Sequence, residues 1–304
     1  MNHYLLGELC ALGVAVSDAT ACTCFNEAEK KISLFSVNIL KMLVAMLSIT
    51  AFRAVTCGGA ALSGIPLWAL VCLGLSGLLG YAFGDFFYFA SFLYIPYRLS
   101  MMIFYSSPIV TSLAAWWLYG QRLQAEDWMG ILLVIAGLCL ALFARQSEES
   151  GGRARSRMGK GVFLAVLGML GQAAGVLLSN QGLSLLEGMT SAALAASQIR
   201  TTAGFLGLLA AGLLCRKMPA VLGDMRHPRE VGLVVAGGVC GCAVGATLTL
   251  QSLRYIPVGI SLAITSLSPI IVLPLTVLLL HERIKPLEAL GAGVCIAGVV
   301  LLSI

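Results

Sequence analysis

Charge is what this chain has little of. Only 11% of its 304 residues are Asp, Glu, Lys or Arg, against roughly 25% in a soluble domain. So few charges cannot cover a water-facing surface, and the mean hydropathy of +0.94 agrees. A soluble globular protein is excluded. Histidine is nearly absent too: His3, His227 and His281 fall in the terminus or in loops. There is no His-Glu-x-x-His, no phosphate loop, no Gly-x-Ser-x-Gly and no paired-aspartate motif, so common metal, phosphoryl and serine chemistries have no visible carrier. No cofactor is expected. The first apolar run, from Tyr4 to about Phe25, lacks a basic leader and a small-residue cleavage site, and reads as a retained helix.

What is present is apolar sequence in long runs. They reach the length of about 20 residues that a helix needs to cross a bilayer. Windows bounded by Pro, Gly and charge predict spans at 4–25, 32–52, 66–93, 97–119 and 127–145, then at 160–183, 190–214, 229–253, 258–280 and 286–304. Ten cysteines lie among them, most inside apolar runs where cysteine acts as a small hydrophobe. Between the two groups of five lies one strongly polar stretch, Gln146 to Arg157, whose Gly, Ser and charge mark a flexible linker. The expected architecture is an all-α polytopic membrane protein of ten transmembrane helices, with units 1–145 and 160–304 joined by a polar cytoplasmic linker, 146–159.

The two groups repeat each other at a constant shift. Ser91 and Tyr94-Ile95-Pro96 recur as Ser252 and Tyr255-Ile256-Pro257; Ser107-Pro108-Ile109 recurs as Ser268-Pro269-Ile270. Gly130 and Ile135-Ala136-Gly137 return as Gly291 and Ile296-Ala297-Gly298, and Gly77, Gly80 and Gly84 as Gly238, Gly241 and Gly245. The shift in numbering never changes: 252 less 91, 269 less 108 and 298 less 137 all give 161. An internal duplication in so apolar a chain is the mark of a transporter built from two halves. Five spans per half is odd, so the halves are expected to be inverted about a pseudo-two-fold axis in the membrane plane. The glycine strips read as close helix packing. Pro108 and Pro269 are expected to kink the spans 97–119 and 258–280 from within, as paired hinges or as static bends that shape a cavity.

Two five-helix halves, the Tyr-Ile-Pro corner, the Ser-Pro step, and Gly120-Gln121-Arg122 and His281-Glu282-Arg283 before a glycine-rich fifth helix resemble the drug/metabolite transporter superfamily, and within it an EamA-type permease. The resemblance implies a secondary transporter moving a small metabolite, amino acid or drug-like molecule by alternating access, coupled to protons or to exchange. A channel or a lipid-translocating protein is the alternative from the same bundle, and an intramembrane enzyme a more remote one. Partners would be the cargo, membrane lipids and protons, in a monomer or homodimer of the cell (inner) membrane. The net charge of +5 is spread over loops and implies no nucleic-acid partner.

Few ionisable residues fall within the apolar runs: Glu8, Asp18, Lys41, Asp85 and Arg200. Charge in lipid is expensive, so such residues face a cavity or a partner. At 1.5 Å per residue, Asp18, Lys41, Asp85 and Arg200 each lie roughly 11–15 Å from a membrane face, where a two-fold transporter holds its cargo. They read as a substrate or proton site, or, for Lys41 and Arg200, as an ion-pair network that pins the bundle. Asp85 is the strongest candidate, because its repeat partner is the uncharged Ala246. Gly84-Asp85 with Tyr88 also resembles a motif of some EamA-type permeases. Glu8 is expected to reach the interface. Trp116, Trp117, Tyr119, Trp68 and Trp128 read as an interfacial belt.

Basic residues are distributed unevenly. Fourteen of the 19 fall in loops on the linker side, and only Arg53, Arg122 and Arg254 on the side of the termini. The excess of Lys and Arg places the linker in the cytoplasm and both termini outside. The family resemblance points to cytoplasmic termini; the charge count, a property of this chain, is followed here.

Overall fold

A computed structural model of the chain describes residues 3–57, 64–95, 97–145, 158–186, 188–189, 191–271 and 286–302. Every described element is helical. The first half contains α1 (His3–Ala28), α2 (Leu34–Thr56), α3 (Leu67–Ser91), α4 (Tyr97–Phe104), α5 (Ser107–Tyr119) and α6 (Ala125–Arg145). The second contains α7 (Met158–Ser184), α8 (Ala192–Leu214), α9 (Met218–Asp224), α10 (Pro228–Ser252), α11 (Val258–Thr265) and α12 (Pro286–Leu302). Most of the predicted linker, Pro96, His281-Glu282-Arg283 and the end of the predicted span 258–280 lie outside the described residues. Seven helical stretches are long and apolar enough to cross a membrane. Helix α8 passes the same test together with α9, from which it is bent by 110°, while Val258–Ile271 and Pro286–Leu302 are shorter apolar helices.

Helix ends follow local chemistry. The side chain of Ser33 accepts the Ser36 N–H at the start of α2, supplying one of the acceptors that the first turn lacks. Gly120, at φ +64°, closes α5, with its own N–H on Trp116 O and that of Gln121 on Ala115 O. Such a left-handed cap satisfies otherwise orphaned carbonyls. Arg216 takes the same left-handed region (φ +53°) where α8 turns sharply into α9, a short surface helix that apolar patterning did not predict.

The repeat seen in the sequence is a repeat of contacts. Ser91 pairs with Ser100 by a 2.7 Å hydroxyl contact, and their partners Ser252 and Ser261 do the same at 2.7 Å. Helix α1 packs on α10, and α7 on α3, so each half's first span lies against the other half's third. Helices α6 and α12 form a further extensive seam between the halves. There a Cβ on Gly137 would sit 2.6 Å from Gly291 O, and one on Gly291 2.6 Å from Gly137 O. Only hydrogen fits at either place, so the backbones approach as small residues allow in lipid. Repeat partners meet on the two-fold axis itself: Cys295 Sγ donates to Val134 O at 3.1 Å and Ser266 Oγ to Tyr105 O at 3.5 Å.

Four expectations are corrected. First, α3 is not uniformly α-helical: residues Leu78–Gly84 form π-helical turns, as do the matching Gly238–Gly245 of α10. The clustered glycines, lacking Cβ, tolerate the wider turn and the close neighbours beside it. Second, Pro108 is not interior to a continuous helix. The span breaks at Tyr105-Ser106, and Pro108 lies in the first turn of α5, where its missing N–H costs nothing. Pro269 repeats this after the turn at Ser266-Leu267. Third, Glu8 does not reach out to the interface but is buried. Fourth, Arg53 is not a loop residue: it is buried in the last turn of α2 and donates from Nη1 to Gln198 Oε1 at 2.7 Å. Trp68, Trp116 and Trp117 are exposed on the outer surface.

Candidate functional site

A cavity of about 250 Å³ lies between the halves, and Asp18, Lys41, Asp85, Tyr88 and Arg200 all line it. The five residues singled out from the sequence therefore converge on one place. Pro108 and Pro269 are not among the lining residues. The local fold explains the convergence. The π-helical turns of α3 end at Asp85, which then starts an α-helical segment. The wide turn shifts the side chains that follow it, a device common at functional sites, and the carboxylate meets α2. Lys41 Nζ lies 2.9 Å from Asp85 Oδ2, with both side chains largely withdrawn from solvent. The same ammonium sits 5.3 Å from the centre of the Phe89 ring and 5.8 Å from that of Phe25, within cation–π range. Tyr88 closes this wall by packing on Phe104, ring centres 4.3 Å apart, and on Phe92 at 4.8 Å.

Repeat symmetry organises the charges. A Cβ on Gly80 would be 3.6 Å from Gln172 Oε1, and one on its partner Gly241 3.7 Å from Asp18 Oδ1; Asp18 and Gln172 are therefore equivalent. Gly77 abuts the Arg200 carbonyl as its partner Gly238 abuts that of Lys41, which makes Lys41 and Arg200 equivalent. Asp85 matches Ala246, and Tyr81 matches Cys242; all four line the cavity. The first half thus contributes acid, base, acid, and the second Gln172, Arg200, Ala246. Arg200 is 2% exposed, lies over the Tyr81 ring at 4.9 Å, and has an enclosed Nε without a hydrogen-bond partner.

The cavity reaches the exposed side chain of Asn26. It extends to Asn26 and Glu29 at the C-terminal end of α1, on the linker side. On the opposite side Leu250, Leu253, Val258 and Leu262, from α10 and α11, are sealed into an apolar cluster with Leu73, Val176, Ala195 and Ile199. The repeat partners of those sealing residues include Phe89, Phe92 and Met101. They do not join the corresponding cluster around Ile32, Val37, Met42 and Leu208; Phe89 lines the cavity where its partner Leu250 does not, while Met101 and its partner Leu262 both line it. At one end residues of α10 and α11 pack into an apolar cluster, and their counterparts at the other end are not part of the matching cluster.

A model of the EamA-like transporter family matches residues 5–143 and 159–304. The chain belongs to the EamA-like transporter family. A solved crystal structure, described only as that of a protein, superposes with a TM-score of 0.76 over 97% of this chain and 95% of its own, at 17% identity. At that identity the likeness shows the fold alone. No protein among those with curated function matches the chain. This EamA-like chain is a multi-pass integral membrane protein of two repeats, and no group of three His, Cys, Asp or Glu side chains suited to a metal occurs among the described residues.

Sequence reasoning missed Gln172, Tyr81, Phe25, Phe89 and Glu29. The constant shift of the repeat could not match Gln172 to Asp18 or Arg200 to Lys41. Those pairs differ in number by 172 less 18, which is 154, and by 200 less 41, which is 159. The first two helices of each half are set differently in sequence and aligned only by packing. The signal that could have found the aromatic wall is the Phe-Phe-Tyr-Phe run after Asp85.

Proposed function

We infer that this EamA-like protein is a secondary transporter with ten transmembrane spans in two inverted halves, carrying a small polar metabolite through the central cavity by alternating access. One observation carries the reading. A charged, aromatic-walled cavity lies on the pseudo-two-fold, open toward one membrane face and sealed at the other by repeat-equivalent elements. Exchanging the roles of those elements would open the second face, the rocking of one repeat against the other that inverted architectures support. Its volume falls just under the roughly 300–1,000 Å³ of drug-sized pockets, which favours a small metabolite as cargo. A channel fits less well, because the sealed end is filled with packed side chains.

The basic excess supports a cytoplasmic linker and a cavity that opens on that side. With Arg53 removed from the loop count, only Arg122 and Arg254 remain on the other side, which widens that excess. Asp85 and Asp18 are the groups available to carry a coupling proton or a cationic group of the cargo. The test is counterflow in proteoliposomes, using a cell metabolite extract inside and mass spectrometry of what is retained. Saturable, competable accumulation that Asp85→Asn abolishes is expected. Flux that rises linearly with concentration would refute a carrier.

A further inference from the structure

A second hollow lies away from the central cavity, on the side opposite the linker. It is a groove of about 580 Å³ lined by Leu113 and Trp116 of α5, Trp128 of α6, and Gln121, Arg122 and Leu123 of the loop between them. Leu113 and Trp116 are 47% and 56% exposed and stand one turn apart on one face of α5. Helix α5 packs on α11 and α7 far more than on α6, so the groove is the gap between two consecutive spans, closed at one end by their loop. The apolar stretches Leu99–Tyr119 and Ala125–Leu142 end and begin on either side of that loop, which sets Arg122 at the membrane surface. Leu113 lies roughly 9 Å below the end of its span, at the depth of lipid chains.

Arg122 is exposed and, among the described residues, makes no hydrogen bond or ion pair. The acids that follow it in the chain, Glu126 and Asp127, do not line the groove, and Asp127 Oδ2 accepts the Gln124 N–H at 2.7 Å. The groove therefore presents one positive charge and no negative one. The repeat indicates that the fold does not require these residues. At the shift of 161, Trp116, Trp128 and Gln121 correspond to Val277, Ala289 and Glu282, while Arg122 corresponds to Arg283. The second half has its arginine next to a carboxylate in the chain and neither ring. The first has both rings and an uncharged amide in place of the acid.

We propose that this groove holds one phospholipid of the adjoining leaflet, its phosphodiester on Arg122 and an acyl chain between α5 and α6 along Leu113 and Trp116. A guanidinium fork matches two phosphate oxygens by parallel hydrogen bonds, and indole rings sit well at headgroup level. The charge selects a phospholipid over an uncharged glyceride. The apolar floor selects a lipid over a soluble phosphate. Bound there, the lipid would brace α5 against α11, whose Val258 and Leu262 belong to the apolar cluster at that end of the cavity.

The experiment uses the full-length protein carrying Trp68→Phe and Trp117→Phe. Its remaining tryptophans, Trp116 and Trp128, both line the groove. In micelles of an uncharged detergent it is titrated with dioleoyl phosphatidylglycerol brominated on the acyl chains, whose bromines quench an indole they touch. Half-maximal quenching is expected at a mole fraction roughly tenfold lower than for the brominated diacylglycerol with the same chains, the worth of one hydrogen bond to a charged group. Arg122→Gln should abolish that preference, and Arg122→Lys, which keeps the charge and loses the fork, should retain part of it. Arg254→Gln removes the same charge from another loop of this side, outside the groove, and should leave the preference intact. Because Arg122 is exposed and unpaired, its variants should keep the unfolding temperature of the lipid-free protein, which separates lost binding from lost folding.

Equal quenching by the phospholipid and the diacylglycerol would overturn the proposal, as would a preference that survives Arg122→Gln. Displacement of the brominated lipid by an equal concentration of sn-glycerol 3-phosphate would also overturn it, since the groove would then recognise phosphate without a chain. So would a dimer in light scattering that Trp116→Ala dissociates and the lipid does not, because a second copy would then fill the groove.

Discussion

Removing one member of the Lys41–Asp85 pair should cost far more than removing both. The pair is 2.9 Å long with side chains 11% and 14% exposed. Breaking such a pair strands a charge, at about 3–5 kcal/mol for a fully buried one. This pair borders a cavity, so the lower end, about 3 kcal/mol, is expected, roughly two powers of ten in the folded-to-unfolded ratio. The two single variants should differ. Asp85→Asn leaves the Lys41 ammonium with the Phe25 and Phe89 rings and with Asp18 nearby. Lys41→Met leaves two carboxylates, Asp85 and Asp18, in one cavity without their shared cation, and is expected to be the worse. In the double variant no charge of the pair is stranded, so it should be more stable than Lys41→Met alone, giving a coupling of about 2 kcal/mol or more. Thermal unfolding of the purified protein, supported by denaturant titration, measures this. Additive losses, with the double variant the least stable, would show that the pair is not coupled and refute the reasoning.

The remaining predictions concern the bundle and its linker-side surface. Pro108→Ala and Pro269→Ala, both in first turns, should leave stability within about 1 kcal/mol but slow counterflow with affinity within a few-fold; unchanged flux in the double variant would reduce the breaks to fixed shape. Asp224, at the end of α9, accepts from Ser36 Oγ at 2.6 Å and from Ser33 N at 3.0 Å. Partial burial pushes its carboxyl up, but those bonds and the nearby His227 outweigh it and hold the group below its ordinary value. Its folded-state pKa is depressed, so its contribution is complete above the unfolded value and is lost as pH falls through the folded one. Asp224→Asn should therefore lower the unfolding temperature at pH 7 and converge on the wild type as the pH falls below the ordinary carboxylate range. On a cysteine-free background, Cys at 153 should resist an impermeant thiol reagent in intact cells while Cys at 2 is labelled; the opposite pattern would reverse the orientation.

Much of this protein is decided by the order of its residues alone. Scarce charge and long apolar runs make it a membrane protein, since no folding can hide that composition from water. The constant-shift repeat, carried by short-range pieces such as Tyr255-Ile256-Pro257 and Ser268-Pro269, announces two related halves. Isolated charges deep in apolar runs point to a midplane site, because a charge at that depth must face a cavity or a partner. The tertiary structure decided which of those charges meet. Whether Asp85 reaches Lys41, and whether Arg200 is left unpaired, depends on how each helix is rotated and how closely it approaches its neighbour. Those rotations come from the π-helical turns of α3 and α10 and from glycine faces, such as Gly77 on the Arg200 backbone, whose strips the sequence shows but whose packing partners it does not. The unequal offsets that pair Asp18 with Gln172 and Lys41 with Arg200 exist only in packing, because side chains related by a two-fold axis answer to a shared neighbour and not to a constant count along the chain.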